Sequence, residues 1–191
     1  MLEKVPRPVG SALSVLRSGL DKIASLSELA ALPETITVES PLFGSGEPMP
    51  SRFTADGAGI SPPLAWTSVP SETTSLVLLV EDADAPSPKP LVHCIAVDLP
   101  RESGGIPEGA LNEQAARQSG IRLGKNSFLK AEWLPPDPPP GHGVHRYVFQ
   151  LFALRQRPPH GDSAPGRAQI VEMIRCHGIA RGMFIGIYKR D

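Results

Sequence analysis

A chain of 191 residues with 40% hydrophobic and 20% charged residues is long enough to bury a sizeable core and too apolar for general disorder. Its formal charge of −1, with no run of lysine and arginine, excludes the electrostatic footprint of a duplex nucleic-acid binder, and no segment approaches the roughly 20 apolar residues that a bilayer-spanning helix needs. Proline is the outlier: 22 residues, more than twice the usual share of ~5%, gather between apolar runs and favour a loop-rich β protein over a helical bundle.

At the N-terminus, Val9, Leu13, Leu16, Leu20 and Ile23 recur at three- and four-residue intervals with Arg17, Asp21 and Lys22 between them. That spacing predicts an amphipathic helix over Val9 to Ala31, ended by Pro33. Its apolar stripe needs a cover: the chain's own β body, a second copy in a homodimer, or a membrane surface, the last disfavoured by the scarcity of flanking basic residues. The first residues hold no hydrophobic stretch followed by a small-residue cleavage site, so a cytoplasmic location is expected. Residues 1–35 are read as a helical extension and residues 36–191 as a β domain.

From Ile36 onward the punctuation is that of strands and turns. Ile36-Thr37-Val38 alternates, while Phe43-Gly44-Ser45-Gly46 and Asp56-Gly57-Ala58-Gly59 are turns. Leu76 to Val80 is a continuous apolar run, the mark of a strand covered on both faces. It leads into the carboxylate-rich loop Glu81-Asp82-Ala83-Asp84-Ala85-Pro86, and Leu91 to Val97, carrying His93 and Cys94, reads as the return strand. Pro100 to Gly124 is a polar connection with little periodicity. His145 to Leu154 is a further strand, Gln169 to Ala180 has helical spacing, and Gly182 to Tyr188 alternates as a closing strand. Cys94 and Cys176 lack the spacing of a redox pair and are expected to be reduced.

Alternation along a strand puts His145, Tyr147, Phe149 and Leu151 on one face, so an imidazole and a phenol stand at the end of an apolar row. A strand, an acidic turn and a return strand bring Asp82 or Asp84 near His93, where a carboxylate favours the imidazolium and fixes the ring. Two such histidines and a tyrosine hydroxyl suit an anionic oxygen ligand, phosphate or carboxylate, whose binding weakens as pH rises. Each residue also has a plainer reading. Asp82 and Asp84 cap turn N–H groups, His93 and Tyr147 belong to the core, Arg146 faces solvent or makes a structural ion pair, His142 has no specific role and His177 packs under the helix. The histidines and cysteines lack metal-ligand spacing, and neither a Gly-x-Ser-x-Gly elbow nor a nucleotide-binding loop is present. An Asp82–His93 acid/base pair would lack a nucleophile.

Several motifs in order resemble the phosphatidylethanolamine-binding proteins, specifically their bacterial Raf-kinase-inhibitor-like branch. They are Ser61-Pro62-Pro63-Leu64-Ala65-Trp66, the Asp82 to Pro86 turn, His93 with Ile95-Ala96-Val97-Asp98-Leu99-Pro100, Gly124-Lys125-Asn126-Ser127, and Pro138-Pro139 ahead of His145-Arg146-Tyr147. The resemblance runs from about Ile36 to Lys189. It implies an antiparallel β-sandwich with peripheral helices and a small anion pocket at one end. By motif, Asp82 and Pro86 match the acidic turn, His93 the return-strand histidine, His145 and Tyr147 the second histidine and the tyrosine, and Pro138 the proline-rich lip. The implied function is non-enzymatic, cofactor-free binding of phosphate or a phospholipid-headgroup-like ligand such as phosphoethanolamine, with regulation of a kinase or other signalling enzyme. The competing readings are an inhibitor module that engages a kinase or protease through the pocket rim, and a small hydrolase using Asp82 and His93. Three departures bear on the pocket. Ala83 replaces the turn's first proline, which predicts a looser loop; Val92 stands where an aromatic residue is usual, which predicts a missing aromatic wall; Asp137 replaces glycine and adds a negative charge beside the site.

Overall fold

Continuous apolar runs become strands where the chain can cover both of their faces, and this requirement organises the molecule around Leu76 to Val80. In the computed structural model, which describes residues 6–159 and 163–190, the strands are β1 (Thr37–Glu39), β2 (Leu64–Thr67), β3 (Ser75–Asp82), β4 (Leu91–Leu99), β5 (Gly104–Ile106), β6 (Arg122–Gly124), β7 (His145–Leu154) and β8 (Gly178–Tyr188). The helices are α1 (Arg7–Leu13), α2 (Glu113–Gln118) and α3 (Arg167–His177). The fold is mostly antiparallel β: a five-stranded sheet ordered β6-β4-β3-β7-β8 and a three-stranded sheet ordered β1-β2-β5.

Every residue of β3 is buried, and alternation divides them. Leu76, Leu78 and Val80 join Trp66, Leu64 and Val38 of the smaller sheet in one apolar cluster with Phe149 and Leu151. Val77 and Leu79 turn the other way, onto Ile170, Val171 and Ile174 of α3 and onto Ala24 and Leu29. Each buried Leu or Val contributes roughly 1.5–3 kcal/mol of transfer free energy, so a strand in the centre of such a stack has no use for a polar face.

The helix expected over Val9 to Ala31 does not form. Only α1 is α-helical there; two single 3₁₀ turns follow at Leu20–Lys22 and Ala24–Leu26. Gly19 adopts φ +100°, a conformation outside any right-handed helix. Partners outside the segment replace the i→i−4 ladder: Ser18 N–H donates to Ala85 O (3.1 Å) and Gly19 N–H to Ala83 O (2.7 Å), while Ala24 and Ser25 N–H donate to the side chains of Glu81 (2.8 Å) and Gln150 (2.7 Å). The periodic residues therefore share no stripe: Val9 and Leu16 are 47% and 53% exposed, whereas Ile23 is fully buried beside Ala83 and Val148. The single helix through which a homodimer was expected is replaced by α1 and the two 3₁₀ turns.

The polar connection from Pro100 to Gly124 in fact holds β5, α2 and β6. Each is too short for periodicity to mark, although Asn112 caps α2 by accepting from Ala115 N–H at 2.8 Å. The C-terminal helix and closing strand are present, with the boundary at Gly178 rather than near Gly182. Cys94 and Cys176 are free; burial pushes the Cys94 thiol up to about 12. Among the described residues no helix is long and apolar enough to cross a membrane.

Candidate functional site

Strict alternation along β4 would put His93 on the α3 side, with Ile95 and Val97. A β-bulge prevents this. Val80 pairs with Cys94 and Glu81 with Val92, leaving His93 as the extra residue, so Val92 stays on the α3 side while His93 and Cys94 both turn toward the smaller sheet. On β3, Asp82 lies directly opposite Tyr147 of β7. The bulge and this register bring Asp82, His93, His145 and Tyr147 to one cavity of about 300 Å³, walled by Ala85, Pro86, Leu91, Phe128, Leu134, Pro135 and Pro139.

The His93 and Tyr147 rings meet edge to face at 5.0 Å between centroids. His93 Nδ1–H donates to the Leu134 carbonyl at 2.7 Å, and Leu134 N–H returns a bond to His93 O. With the hydrogen fixed on Nδ1, neutral His93 presents a bare Nε2. Burial holds its pKa below the usual histidine value, against the pull of Asp82, and burial together with Asp82 pushes the Tyr147 phenol well up. Among the described residues five buried side-chain polar atoms have no partner; two of them, His93 Nε2 and Tyr147 Oη, belong to residues lining this one cavity. Buried groups of that kind are costly unless something pairs with them.

His145 is arranged differently. Its Nδ1–H donates to Asp82 Oδ2 at 2.8 Å, and its Nε2 lies 2.7 Å from His142 Nδ1. His142 Nε2–H in turn donates to the Leu13 carbonyl at 2.9 Å. A carbonyl and a carboxylate can only accept, so the outer nitrogens each carry a hydrogen and the ring-to-ring contact needs one more. The pair thus holds one extra proton, balanced by Asp82. Burial and the neighbouring His145 keep His142 below the usual histidine value. Both nitrogens of His145 are engaged within the protein, so the expected N–H donation from His145 to a ligand is not available in this arrangement. His142, expected to have no specific role, closes the chain.

The neighbouring carboxylate has another task. Asp84 is fully buried and receives Arg146 Nε and Nη2 at 2.7 Å each, Arg146 N–H at 2.9 Å and Arg17 at 2.8 Å. Burial works against its ionisation, but these bonds outweigh it and hold the pKa below the ordinary value. Arg17 also donates to the carbonyls of His142 and Val144. Gly10 permits the accompanying approach of α1, where an added Cβ would sit 1.9 Å from Pro140 O. The N-terminal segment is consequently built into the wall behind His145.

The three departures resolve in physical terms. Ala83 is not loose: its N–H donates to Arg146 O at 3.0 Å, a bond no proline can make, and its carbonyl accepts from Gly19. Val92 faces α3, and aromatic contact comes instead from Phe128 on the wall and Trp133, 6.3 Å from His93 and stacked on Phe149. Asp137 lines the cavity but is paired with Arg190 at 2.7 Å. The lip is Pro135, Asp137 and Pro139; Pro138 is not on the lining and gives its carbonyl to Arg190. Glu81, next to Asp82 on β3, is held by Gln150 and Arg167 on the opposite face.

Comparison with known proteins follows this geometry. The sequence model described as phosphatidylethanolamine-binding protein matches residues 39–189. A UPF0098 protein of Aquifex aeolicus is 35% identical over 149 residues, covering 78% of this chain and 85% of its own length. Among solved structures, the phosphatidylethanolamine-binding protein homolog CT736 of Chlamydia trachomatis superposes with a TM-score of 0.73 at 31% identity, covering 83% of this chain and 99% of that one. Escherichia coli YbcL, a member of the mammalian PEBP family, gives 0.75 at 26% identity, covering 82% and 99%.

Proposed function

The chain belongs to the phosphatidylethanolamine-binding protein family, and from that premise we propose that it is a non-enzymatic binding protein whose cavity receives a small phosphate-like or phospholipid-headgroup-like group. One observation carries the reading: His93 Nε2 and Tyr147 Oη are buried, lack partners and belong to the same 300 Å³ cavity. Two unsatisfied polar atoms in one apolar-walled hollow are what a ligand's polar head completes. Asp82 accepts on both oxygens, from Asp84 N–H and from His145, and lines the same cavity. His145 orients Asp82 and does not itself reach the ligand.

The reading is non-enzymatic because the polar groups at the cavity include no activated nucleophile: Tyr147 is held protonated by burial, and the Asp82–His145 pair has no serine, threonine or cysteine on the lining to activate. Calorimetric titration of phosphoethanolamine tests it. Wild type binds with one site and releases no inorganic phosphate over hours, and Tyr147→Phe weakens binding about five- to tenfold, the equivalent of one hydrogen bond at ~1 kcal/mol. Unchanged affinity in Tyr147→Phe, or catalytic phosphate release by wild type, contradicts the proposal.

A further inference from the structure

The histidine donors around the cavity are already committed. His93 Nδ1–H is held by Leu134 O, His145 by Asp82 and His142, and His142 Nε2–H by Leu13 O. Prolines 86, 135 and 139 on the wall have no N–H to offer. Lys130 on the lining is 69% exposed in its side chain and faces Glu132 at 3.3 Å. Asn126 Nδ2 is engaged by Glu132 O, and Lys130 keeps N–H groups to spare at the exposed rim; among the buried lining groups there remain an imidazole lone pair on His93, the Asp82 carboxylate and one hydroxyl, Tyr147 Oη, that can donate or accept. The buried part of this surface is short of donors. A fully ionised oxyanion brings only acceptors to it, and would set them against Asp82 and a bare nitrogen.

Resting on the phosphate-binding reading above, we propose that the site is specific for an oxyanion that retains a proton, a phosphate monoester monoanion or hydrogen phosphate, and discriminates against sulfate and carboxylate. The P–OH donates to His93 Nε2 or Asp82, and Tyr147 Oη–H donates to a P–O⁻ oxygen. Chemistry selects the ligand class. A phosphate monoester holds this proton up to about pH 6 and keeps a usable fraction above it; carboxylic acids lose theirs near pH 4, and sulfate has none to give. Six groups face His93 or the hollow around it and set the same balance: Asp82, His145, Tyr147, Lys130, Glu132 and Asp137, the last neutralised by Arg190. The depressed basicity of His93 agrees with an acceptor role. Because the complex contains one proton more than a free monoester dianion, affinity for a phosphate monoester falls about tenfold per unit above the ligand's own second pKa.

The test is calorimetry of the full chain with inorganic phosphate, phosphoethanolamine and inorganic sulfate at pH 7.5 and constant ionic strength, repeated at pH 8.5 in two buffers of different ionisation heat. Sulfate is expected at least tenfold weaker than phosphate, with close to one proton taken up per phosphoethanolamine at pH 8.5. Asp82→Asn, which replaces an acceptor by an amide donor, is expected to close the gap by strengthening sulfate. A variant that merely perturbs the fold would weaken both ions together, and that result overturns the role given to Asp82. Sulfate bound as tightly as phosphate by wild type, or no proton uptake, overturns the specificity while leaving phosphate binding intact. Binding of neither ion overturns the function proposed above and this inference with it.

Discussion

His93 and His145 line the same cavity and are buried to 3% and 1% residual exposure, yet their hydrogen bonds assign them opposite tasks. His93 spends one nitrogen on a backbone carbonyl and leaves the other idle; His145 spends both, on Asp82 and His142. Burial alone does not make a ligand group. The inventory of donors and acceptors around each ring does, and it gives His93 to the ligand and His145 to the scaffold that holds Asp82.

The largest effect that sharpens this contrast is on stability. His145→Ala removes the partner of a buried carboxylate and of His142 together, and is expected to cost about 3 kcal/mol in urea unfolding. His93→Ala leaves one carbonyl short and a smaller electrostatic debt, about half as much. The reverse order would break the comparison. Next, Tyr147→Phe deletes a hydroxyl without a partner, so stability stays level or rises by up to ~1 kcal/mol even as ligand affinity drops; a clear loss of stability would mean the hydroxyl is already satisfied inside the protein.

A smaller effect is on pH. His93 and His142 both lie below the ordinary histidine value, burial being the first cause in each. Between that value and their native pKa these two rings bind more protons in the unfolded chain than in the folded one, so their contribution to stability is full above about pH 6.5 and falls as pH drops toward the depressed values. Melting temperatures measured at pH 7.5 and 5.5 should show the decline, and His142→Asn should shrink it. The smallest effect is expected from Asp137→Asn: its charge is balanced by Arg190, so phosphoethanolamine affinity should move by less than about threefold. A large gain would restore the view that Asp137 repels the ligand.

Much of the fold was legible because its driving force is written locally. Leu76 to Val80 and His145 to Leu154 are strands by run and alternation, and the shared face of His145, Tyr147, Phe149 and Leu151 follows from the period of two. The bulge at His93 was not legible: Val92-His93-Cys94 reads as a regular strand, and only pairing with β3 reveals the extra residue. The N-terminal spacing misled because competing partners lie far along the chain, at Glu81, Ala83, Ala85 and Gln150; Gly19 was the local warning. His142 escaped notice since its meaning depends on Leu13 O and His145, which its glycine-flanked loop does not announce. Asp84, read as a turn cap or a partner of His93, accepts Arg146 N–H, and Arg146, read as solvent-facing or ion-paired, pairs with Asp84.

Nitrogen-15 spectra of the histidine rings test the central claim most directly, since they report which imidazole nitrogen carries hydrogen. At pH 7.5 the account predicts His93 protonated on Nδ1 and bare on Nε2, with His142 and His145 sharing one extra proton, and phosphoethanolamine shifting His93 Nε2 while the His145 signals hold. A hydrogen already on His93 Nε2 in the free protein, or a ligand response confined to His145, would contradict it.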